Sequence, residues 1–290
     1  MMKMHSRNPV VLAVSVLFVS PAFLTAQDLE TVTLEPVRDN TIYSEGEKSN
    51  GQGSYLFTGQ NNRGQNRRAL LAFDVSSLPG NARIEAATLT LAMNKTITSE
   101  SSVNLYRLTR DWGEGASDAA AEEGRGISAE EGDATWEQAF YPSDSWSNPG
   151  GDFMDEPSAS TGVGGTATYA WESEAMVADV QAWIEDPSAN HGWILVGNES
   201  ETSAKRFESR HAANASSRPV LEVSYTAGEG GQNWAGYPVE SDGVSVNTES
   251  FLGWVDIDKA PWVYIYALET YMFLPEENVS SAGGWAYVPN

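Results

Sequence analysis

The chain of 290 residues contains no cysteine and has few basic residues. Without cysteine, disulfide bonds, thiolate zinc sites and cysteine nucleophiles are excluded. There are 17 Lys and Arg residues against 40 Asp and Glu residues, which gives a formal net charge of -23. An acidic surface of this kind repels nucleic acid and anionic lipid, so neither is a predicted partner. It would also repel an anionic polysaccharide unless a cation lay between the two.

Long apolar runs are confined to the first residues of the chain. Lys3 and Arg7 precede an apolar stretch over residues 10–24, and a small-residue cleavage site follows. This order is typical of a secretory signal peptide, and the apolar stretch is short for a membrane span. We predict a signal peptide over residues 1–26 and an exported mature protein, secreted or held at the cell surface. No membrane span is expected after cleavage.

The sequence also lacks the common catalytic signatures. It contains no nucleophile elbow, no phosphate loop and no zinc-binding helix motif. Only His191 and His211 remain after the predicted signal peptide, and both fall in turns or polar loops. With 40 acidic residues some pair of carboxylates is always available, so a glycosidase cannot be inferred from their number. We predict that the chain is not an enzyme, and we keep a polysaccharide lyase as a less favoured alternative.

The sequence is rich in short apolar segments separated by turns. Over residues 32–226 these segments alternate with clusters of Gly, Asn, Asp, Ser and Pro, without βαβ alternation. This pattern predicts an all-β fold, a jelly-roll β-sandwich. One helix interrupts it, because Ser173 is a suitable N-cap, apolar residues follow at helical spacing, and Pro187 ends the segment. We expect this short helix to cap one open end of the sandwich.

Composition divides the chain after the sandwich domain, which we assign to residues 27–226. Residues 227–231 form a Gly-rich linker, and residues 232–290 are dense in aromatics and predict a small aromatic-rich β module. Within the sandwich domain, residues 113–169 form a long segment rich in Gly, Ser, Ala, Asp and Glu. We expect residues 116–131 to be its most mobile part.

An ordered set of motifs carries a resemblance to a known family. Residues 67–79 and 82–91 contain a strand, a Ser-Ser-Leu-Pro-Gly turn and a second strand. Four later segments follow in the order that the family shows, at residues 105–112, 134–136, 179–193 and 206–225. Over about residues 31–226 the chain thus resembles the DNRLRE family of secreted β-sandwich modules, which is grouped with the carbohydrate-binding modules of family ninety-six.

The resemblance implies a secreted, non-catalytic protein that recognises an extracellular polysaccharide. Characterised members look suited to alginate-like polyuronates. Two departures prevent the ligand from being carried over, because His211 stands where the family often has glutamate and the insertion at residues 113–169 is longer than in compact members. The alternative is a surface adhesion or matrix protein without sugar binding. Its C-terminal module, whose role the resemblance does not cover, would then attach it to the cell surface.

Sugar binding needs flat aromatic faces with polar groups beside them. The candidates near predicted loops, with two arginines as polar partners, are Tyr43, Tyr55, Trp112, Trp136, Trp146, Trp171, Arg68 and Arg107. A second set of polar residues is embedded in the motif segments, where charged groups are most stable in pairs. These predicted structural ion-pair residues are Arg67, Asp74, Asp152, Asp179, Glu199, Arg206 and Arg218.

A structural calcium ion is the one cofactor that the sequence suggests. Calcium prefers several carboxylate and carbonyl oxygens. Asp39, Asn40, Glu45 and Glu47 supply such oxygens in the first loop. The resemblance points to the same loop, where related jelly-roll modules often hold an ion. The predicted partner is therefore a polysaccharide, and calcium is the candidate structural ion.

Overall fold

The computed structural model describes residues 29–227, 233–240, 243–248, 251–280 and 283–284. The predicted signal peptide and residues 228–231 of the predicted linker lie outside this part of the chain. The first seven strands are β1 Leu29–Leu34, β2 Pro36–Tyr43, β3 Lys48–Ser49, β4 Tyr55–Gln60, β5 Asn66–Phe73, β6 Ala82–Thr96 and β7 Ser101–Arg107. The next eight are β8 Ile127–Ser128, β9 Gln138–Phe140, β10 Asp144–Ser145, β11 Ala159–Val163, β12 Ala167–Glu172, β13 Trp193–Gly197, β14 Lys205–Glu208 and β15 Val220–Ala227.

Eleven of these strands form one curled sheet that closes into two layers, while β3 with β8 and β9 with β10 form two small separate sheets. In the first layer β15 lies between β1 and β6, and β12 and β14 also pair with β6. In the second layer the order is β2, β5, β13, β7 and β11. Strand β4 joins the layers because it pairs with β14 and with β5. The predicted all-β sandwich is therefore confirmed.

The sandwich core follows from the two-residue period of the strands. In β6 the side chains of Ile84, Leu89, Leu91 and Met93 are buried, while their neighbours along the strand are more exposed. They meet buried residues of the opposite layer, such as Leu195, in one continuous apolar cluster. Because alternate residues point to opposite faces of a strand, this pattern fixes the register of β6 from Ala87 onward, and the period shifts once between Ile84 and Ala87, where the pairing with β15 is irregular.

The predicted helix is α1, Glu174–Glu185. The Ser173 hydroxyl oxygen accepts a hydrogen bond from the backbone N–H of Met176 at 3.0 Å, which satisfies one of the free amides of the first turn. Val180 and Trp183 are buried, and the Trp183 ring lies 4.4 Å from that of Trp193 between centroids. The helix thus adds its apolar face to the sandwich core. No helix in the described ranges has the length and apolar character needed to cross a membrane.

Three short 3-10 helices complete the helical structure of the described residues. They span Pro187–Ala189, Ala215–Ser217 and Glu276–Asn278. In the first, the Asp186 side chain accepts a hydrogen bond from the backbone N–H of Ser188, so the chain turns immediately after α1. Pro187 cannot continue α1, as its position in the sequence predicts.

The C-terminal part forms a separate small β core. Its strands are β16 Asn233–Trp234, β17 Tyr237–Pro238, β18 Ser245–Asn247, β19 Trp254–Asp256, β20 Trp262–Ile265, β21 Thr270–Phe273, β22 Val279–Ser280 and β23 Gly283–Gly284. Strands β18, β19, β20 and β21 form one antiparallel sheet. Val246, Val255, Val263 and Ile265 are fully buried on one side of it. The predicted small aromatic-rich β module is confirmed for these residues.

Candidate ligand-binding cleft

A cleft of about 790 Å³ opens on the sandwich domain. Its walls are built from residues of β3, β4, β5, β6 and β14, from Glu45 and from the turn at residues 61–65. The remaining wall is residues 120–126, which we call the cleft loop and which belong to the long insertion. Segments that are far apart in the sequence therefore meet at one surface.

Basic residues are concentrated in this cleft. Seven of the 17 Lys and Arg residues of the chain line it, against three acidic residues. They are Lys48, Arg63, Arg67, Lys95, Arg125, Lys205 and Arg206, with Glu45, Glu122 and Glu123 as the acidic residues. A concave surface lined by one sign of charge focuses its electrostatic potential. A chain whose net charge is -23 thus presents a cationic surface here.

The basic residues of the cleft divide into accessible and structural groups. The side chain of Lys95 is 51% exposed, and Arg63 and Arg125 are exposed. Arg67 and Lys205 are buried, at 2% and 1% exposure. The exposed side chains can reach a ligand in the cleft, whereas the buried side chains of Arg67 and Lys205 support its floor.

Lys205 is buried without a carboxylate among its hydrogen-bond acceptors. Its ammonium donates to the Thr96 hydroxyl at 2.9 Å and to the Ser99 carbonyl at 2.6 Å. Burial lowers the pKa of Lys205, and the Glu100 carboxylate partly opposes that shift. The two hydrogen bonds hold the ammonium against the end of β6, so Lys205 contributes positive charge to the cleft from below.

Arg67 ties the cleft loop to β5. Its guanidinium pairs with the Glu45 carboxylate and donates to the Gly124 carbonyl at 3.1 and 3.2 Å. The guanidinium carbon also lies 5.2 Å from the centre of the Tyr43 ring. A planar guanidinium can make all of these contacts at once because its donors point in several fixed directions.

Glu123 fixes the cleft loop from the other side. Its carboxylate accepts hydrogen bonds from the Asn50 side-chain amide at 2.9 Å and from the backbone N–H groups of Ser54 and Tyr55 at 3.2 and 3.0 Å. Buried contacts therefore hold the centre of residues 116–131, the segment that the sequence predicts to be the most mobile part of the insertion. These contacts also hold Ala121 and Glu123 in left-handed backbone conformations, with φ of 62° and 57°.

Arg206 and Lys95 share one acidic partner at the rim of the cleft. Arg206 donates to the Asn94 side-chain oxygen at 2.7 Å, and its guanidinium carbon lies 3.8 Å from the centre of the Tyr55 ring. Its Nη1 also donates to Glu122 Oε2 at 2.8 Å. Lys95 Nζ donates to the same Glu122 oxygen at 2.6 Å. One exposed carboxylate thus bridges two cations of the cleft.

The structure corrects four of the predicted stacking residues. Tyr43, Trp112 and Trp171 are fully buried, and Trp146 is 5% exposed. The polar atom of each ring donates to a backbone carbonyl inside the protein at 2.8 to 3.0 Å. Aromatic rings close to a loop in sequence are therefore core residues here, and no sugar can stack on them.

The other predicted ligand contacts lie nearer the surface. Trp136 is half-buried, and the Arg68 guanidinium carbon lies 4.7 Å from its ring centre. Tyr55 is half-buried beneath Arg206. Arg107 contacts a carboxylate, with its Nε 3.5 Å from the nearest oxygen. Each of the two rings has one face covered by an arginine of the chain, and their contact with a sugar stays a prediction.

Five of the seven predicted ion-pair residues contact an opposite charge. The pairs are Arg67 with Glu45, Asp179 with Arg107, Glu199 with Arg68, Arg206 with Glu122 and Arg218 with Glu35. The two other carboxylates instead organise loops. Asp74 accepts from the backbone N–H of Ser76, and Asp152 accepts from those of Ser147 and Asn148. For Asp74 and Asp152 the interpretation changes from an ion pair to a turn-stabilising acceptor.

The four predicted metal ligands do not share one loop. Asp39 and Asn40 lie in β2 and are buried. Glu45 pairs with Arg67, and Glu47 accepts a hydrogen bond from the Tyr141 hydroxyl at 3.2 Å. The side-chain oxygen of Asn40 accepts the backbone N–H of Asn50 at 3.0 Å. Three of the four residues, Asn40, Glu45 and Glu47, therefore contact other groups of the protein instead of converging on a cation.

A different trio of residues does converge within the described part of the chain. One ligand atom each of Asp39, Glu114 and His211 lies within 4.8 Å of the others. Arg210 occupies the same place, because its Nη1 donates to both Glu114 oxygens at 3.0 and 3.1 Å and lies 3.1 Å from His211 Nε2. A divalent cation would have to displace this guanidinium, so the arrangement does not fit calcium. Calcium binding stays a prediction, checked by the melting temperature in calcium and in chelator.

Asp39 is expected to make the stability of the fold depend on pH. Its side chain is 1% exposed, Oδ1 has no hydrogen-bond partner, and burial raises the pKa of its carboxyl to about 8 despite the Arg210 backbone N–H that donates to it. Since the unfolded value is 3.8, the folded state holds an extra proton between these pH values. Stability is then expected to fall as pH rises through this window, by up to ~1.4 kcal/mol per pH unit.

Asp39→Asn removes this titration and keeps the shape of the side chain. The variant is expected to be more stable than the wild type at pH 8 and to lose the decline between pH 5 and pH 8. Urea unfolding at a series of pH values measures both quantities. The same decline in the variant and the wild type would contradict the assignment to Asp39.

One comparison with known proteins bears on this site. Residues 30–117 match the family model described as Carbohydrate-binding module family 96, and no curated protein matches the chain. The matched stretch includes β1 to β7 and four of the basic cleft residues, namely Lys48, Arg63, Arg67 and Lys95. The cleft loop and the C-terminal module lie beyond it. The resemblance is thereby confirmed over residues 30–117, and the match supports carbohydrate binding in general.

Proposed function

We propose that this chain, whose residues 30–117 match carbohydrate-binding module family 96, is an exported, non-catalytic protein that holds an anionic polysaccharide in the cleft. The observation that carries the proposal is the collection of seven basic residues at one concave surface of an acidic chain. The acidity of the whole chain argued against an anionic partner. The local charge of the cleft reverses that argument, because a ligand responds to the nearest charges when salt screens the distant ones.

The accessible side chains suit a polymer with carboxylate groups. Arg63 and Arg125 each offer a planar fork that can take both oxygens of a carboxylate, and Lys95 offers a point charge. Asn61, Asn62 and Gln65 also line the cleft, where their amides can donate to and accept from sugar hydroxyls. Each contact is individually weak at a partly exposed site, so affinity depends on several charged units along the polymer.

The composition of the cleft favours binding over lyase chemistry. A lyase needs a group that removes a proton, commonly His or Tyr. Among the described residues that line the cleft, none is a histidine or a tyrosine. His211 lies elsewhere, against Arg210 and Glu114. These observations support a site that holds its ligand without transforming it.

Attachment to the cell surface through the C-terminal module is part of the proposal. The side of its sheet opposite the buried valines carries exposed aromatics, with Trp254 47%, Trp262 39% and Tyr271 42% exposed. Exposed rings grouped on one face are typical of a contact surface. Export is supported by the signal-like first residues, and these lie outside the described residues.

The proposal is tested by titrating the full chain with a polyuronate and with the same polymer after its carboxyl groups are reduced to alcohols. We expect binding to the charged polymer, a steep loss of affinity as salt is added, and little binding to the reduced polymer. Equal affinity for both polymers would place the ligand away from the basic residues. Equal affinity for single-stranded DNA would indicate a general anion-binding surface instead.

A further inference from the structure

We infer that Glu122 occupies the position of a ligand carboxylate in the cleft, so that the polysaccharide must displace it to bind. This inference rests on the proposed function. Glu122 Oε2 lies 2.6 Å from Lys95 Nζ and 2.8 Å from Arg206 Nη1, so one oxygen bridges cations from two neighbouring strands. A carboxylate of an acidic sugar would make the same two contacts.

The bridging cations are oriented by groups other than Glu122. Arg206 is held by Asn94 and by the Tyr55 ring, and its side chain is only 14% exposed. It therefore keeps its position when Glu122 moves away. Lys95 lies one residue before the end of β6, so its backbone is fixed by the sheet while its side chain stays 51% exposed. The two charges form a preformed site for an anion, with Glu122 as its internal occupant.

Glu122 itself is free to leave. Its side chain is 70% exposed, whereas the cleft loop is held in place by the adjacent Glu123 and by the contacts of Arg67 with Gly124. Swinging the Glu122 side chain into solvent breaks its ion pairs with Lys95 and Arg206, in which Glu122 itself is exposed, and leaves these anchors intact. Exposed ion pairs cost little to break, so the internal carboxylate lowers the affinity of the site without blocking it.

The same geometry predicts which ligands gain access. A neutral sugar gains less than an anionic one by displacing Glu122, because it offers Lys95 and Arg206 no counter-charge. An anionic sugar replaces it with no net loss of ion pairs. Glu122 thus competes with an anionic ligand, while Lys95 and Arg206 give the site its preference for an anion over a neutral polymer.

The test compares Glu122→Gln with Glu156→Gln in the full chain. Both variants remove one exposed negative charge, but Glu156 does not line the cleft. Glu122→Gln is expected to bind a polyuronate about five-fold more tightly than the wild type, whereas Glu156→Gln changes affinity little. Affinity for the carboxyl-reduced polymer should stay weak in both variants.

The outcomes separate this inference from the proposed function. If the wild type binds the polyuronate and both variants match it, Glu122 is a surface ion-pair residue only and the inference is overturned while the proposed function stands. If Glu122→Gln binds more weakly than the wild type, Glu122 assists the ligand and the inference is also overturned. If neither the wild type nor Glu122→Gln binds the polyuronate, both the inference and the proposed function fail.

Discussion

Replacing Arg63 and Arg125 together with glutamine is expected to weaken the binding of an acidic polysaccharide about ten-fold, because each exposed charge-to-charge contact contributes up to roughly 1 kcal/mol. Both side chains are exposed and line the cleft. Glutamine keeps most of their length and their ability to hydrogen-bond sugar hydroxyls, so the change isolates the charge. The salt dependence of binding should become shallower in the same variant, since fewer ion pairs form.

A matched control removes two positive charges outside the cleft. Arg83→Gln with Lys259→Gln changes the net charge by the same amount, and both side chains are exposed. This control should bind as the wild type does. Titration calorimetry of the two double variants against one polyuronate gives the comparison. A similar loss in both would mean that the polymer senses total charge and not the cleft.

Glu123→Ala is expected to lower the free energy of unfolding by on the order of 3 kcal/mol, because it leaves three inward-facing donors without an acceptor. Those donors are the Asn50 side-chain amide and the backbone N–H groups of Ser54 and Tyr55. Glu123 also has a left-handed backbone that its own contacts support. Losing the carboxylate therefore removes both the hydrogen bonds and the support of the cleft loop.

The neighbouring residue supplies the control for this prediction. Glu122→Ala removes an exposed carboxylate from the same loop and should leave stability close to that of the wild type. Urea unfolding of both variants measures the difference. If Glu123→Ala unfolds at the same urea concentration as Glu122→Ala, the cleft loop is not held by the Glu123 carboxylate. The structural basis of the cleft would then need revision.

Local patterns explain what the sequence predicted well. The helix α1 is specified by Ser173, by apolar residues one turn apart and by Pro187, all within one short segment. The strand β6 is specified by the alternation of apolar and more polar residues, which is regular from Ala87 to Met93. Both elements depend on residues that are close together in the chain, so they can be predicted without knowing the tertiary fold.

The candidate site could not be predicted because it depends on distant contacts. Lys95, Arg125 and Arg206 meet only because β14 pairs with β6 and the insertion folds back over both. The number of basic residues determines the net charge of the chain, but it does not show where their side chains lie in the folded protein. A useful signal was the scarcity itself, since Lys205 and Arg206 stand side by side in a chain with few cations.

The aromatic predictions failed for a related reason. Trp112 and Trp171 lie near predicted loops, yet both rings are buried. Their indole N–H groups donate hydrogen bonds to backbone carbonyls of other segments. The calcium prediction likewise assumes that Asp39 belongs to a loop, but Asp39 lies in β2 beneath the insertion that carries Glu114. Exposure depends on what covers a residue, and covering segments come from elsewhere in the chain.

The most direct measurement is amide hydrogen exchange of the full chain with and without a short oligouronate. We expect added protection in the turn at residues 61–65, at the end of β6 and in the cleft loop, with the C-terminal module unchanged. That pattern would place the ligand where the seven basic residues converge. Protection confined to the C-terminal module, or to another face of the sandwich, at a ligand concentration that saturates binding would contradict the assignment of the cleft.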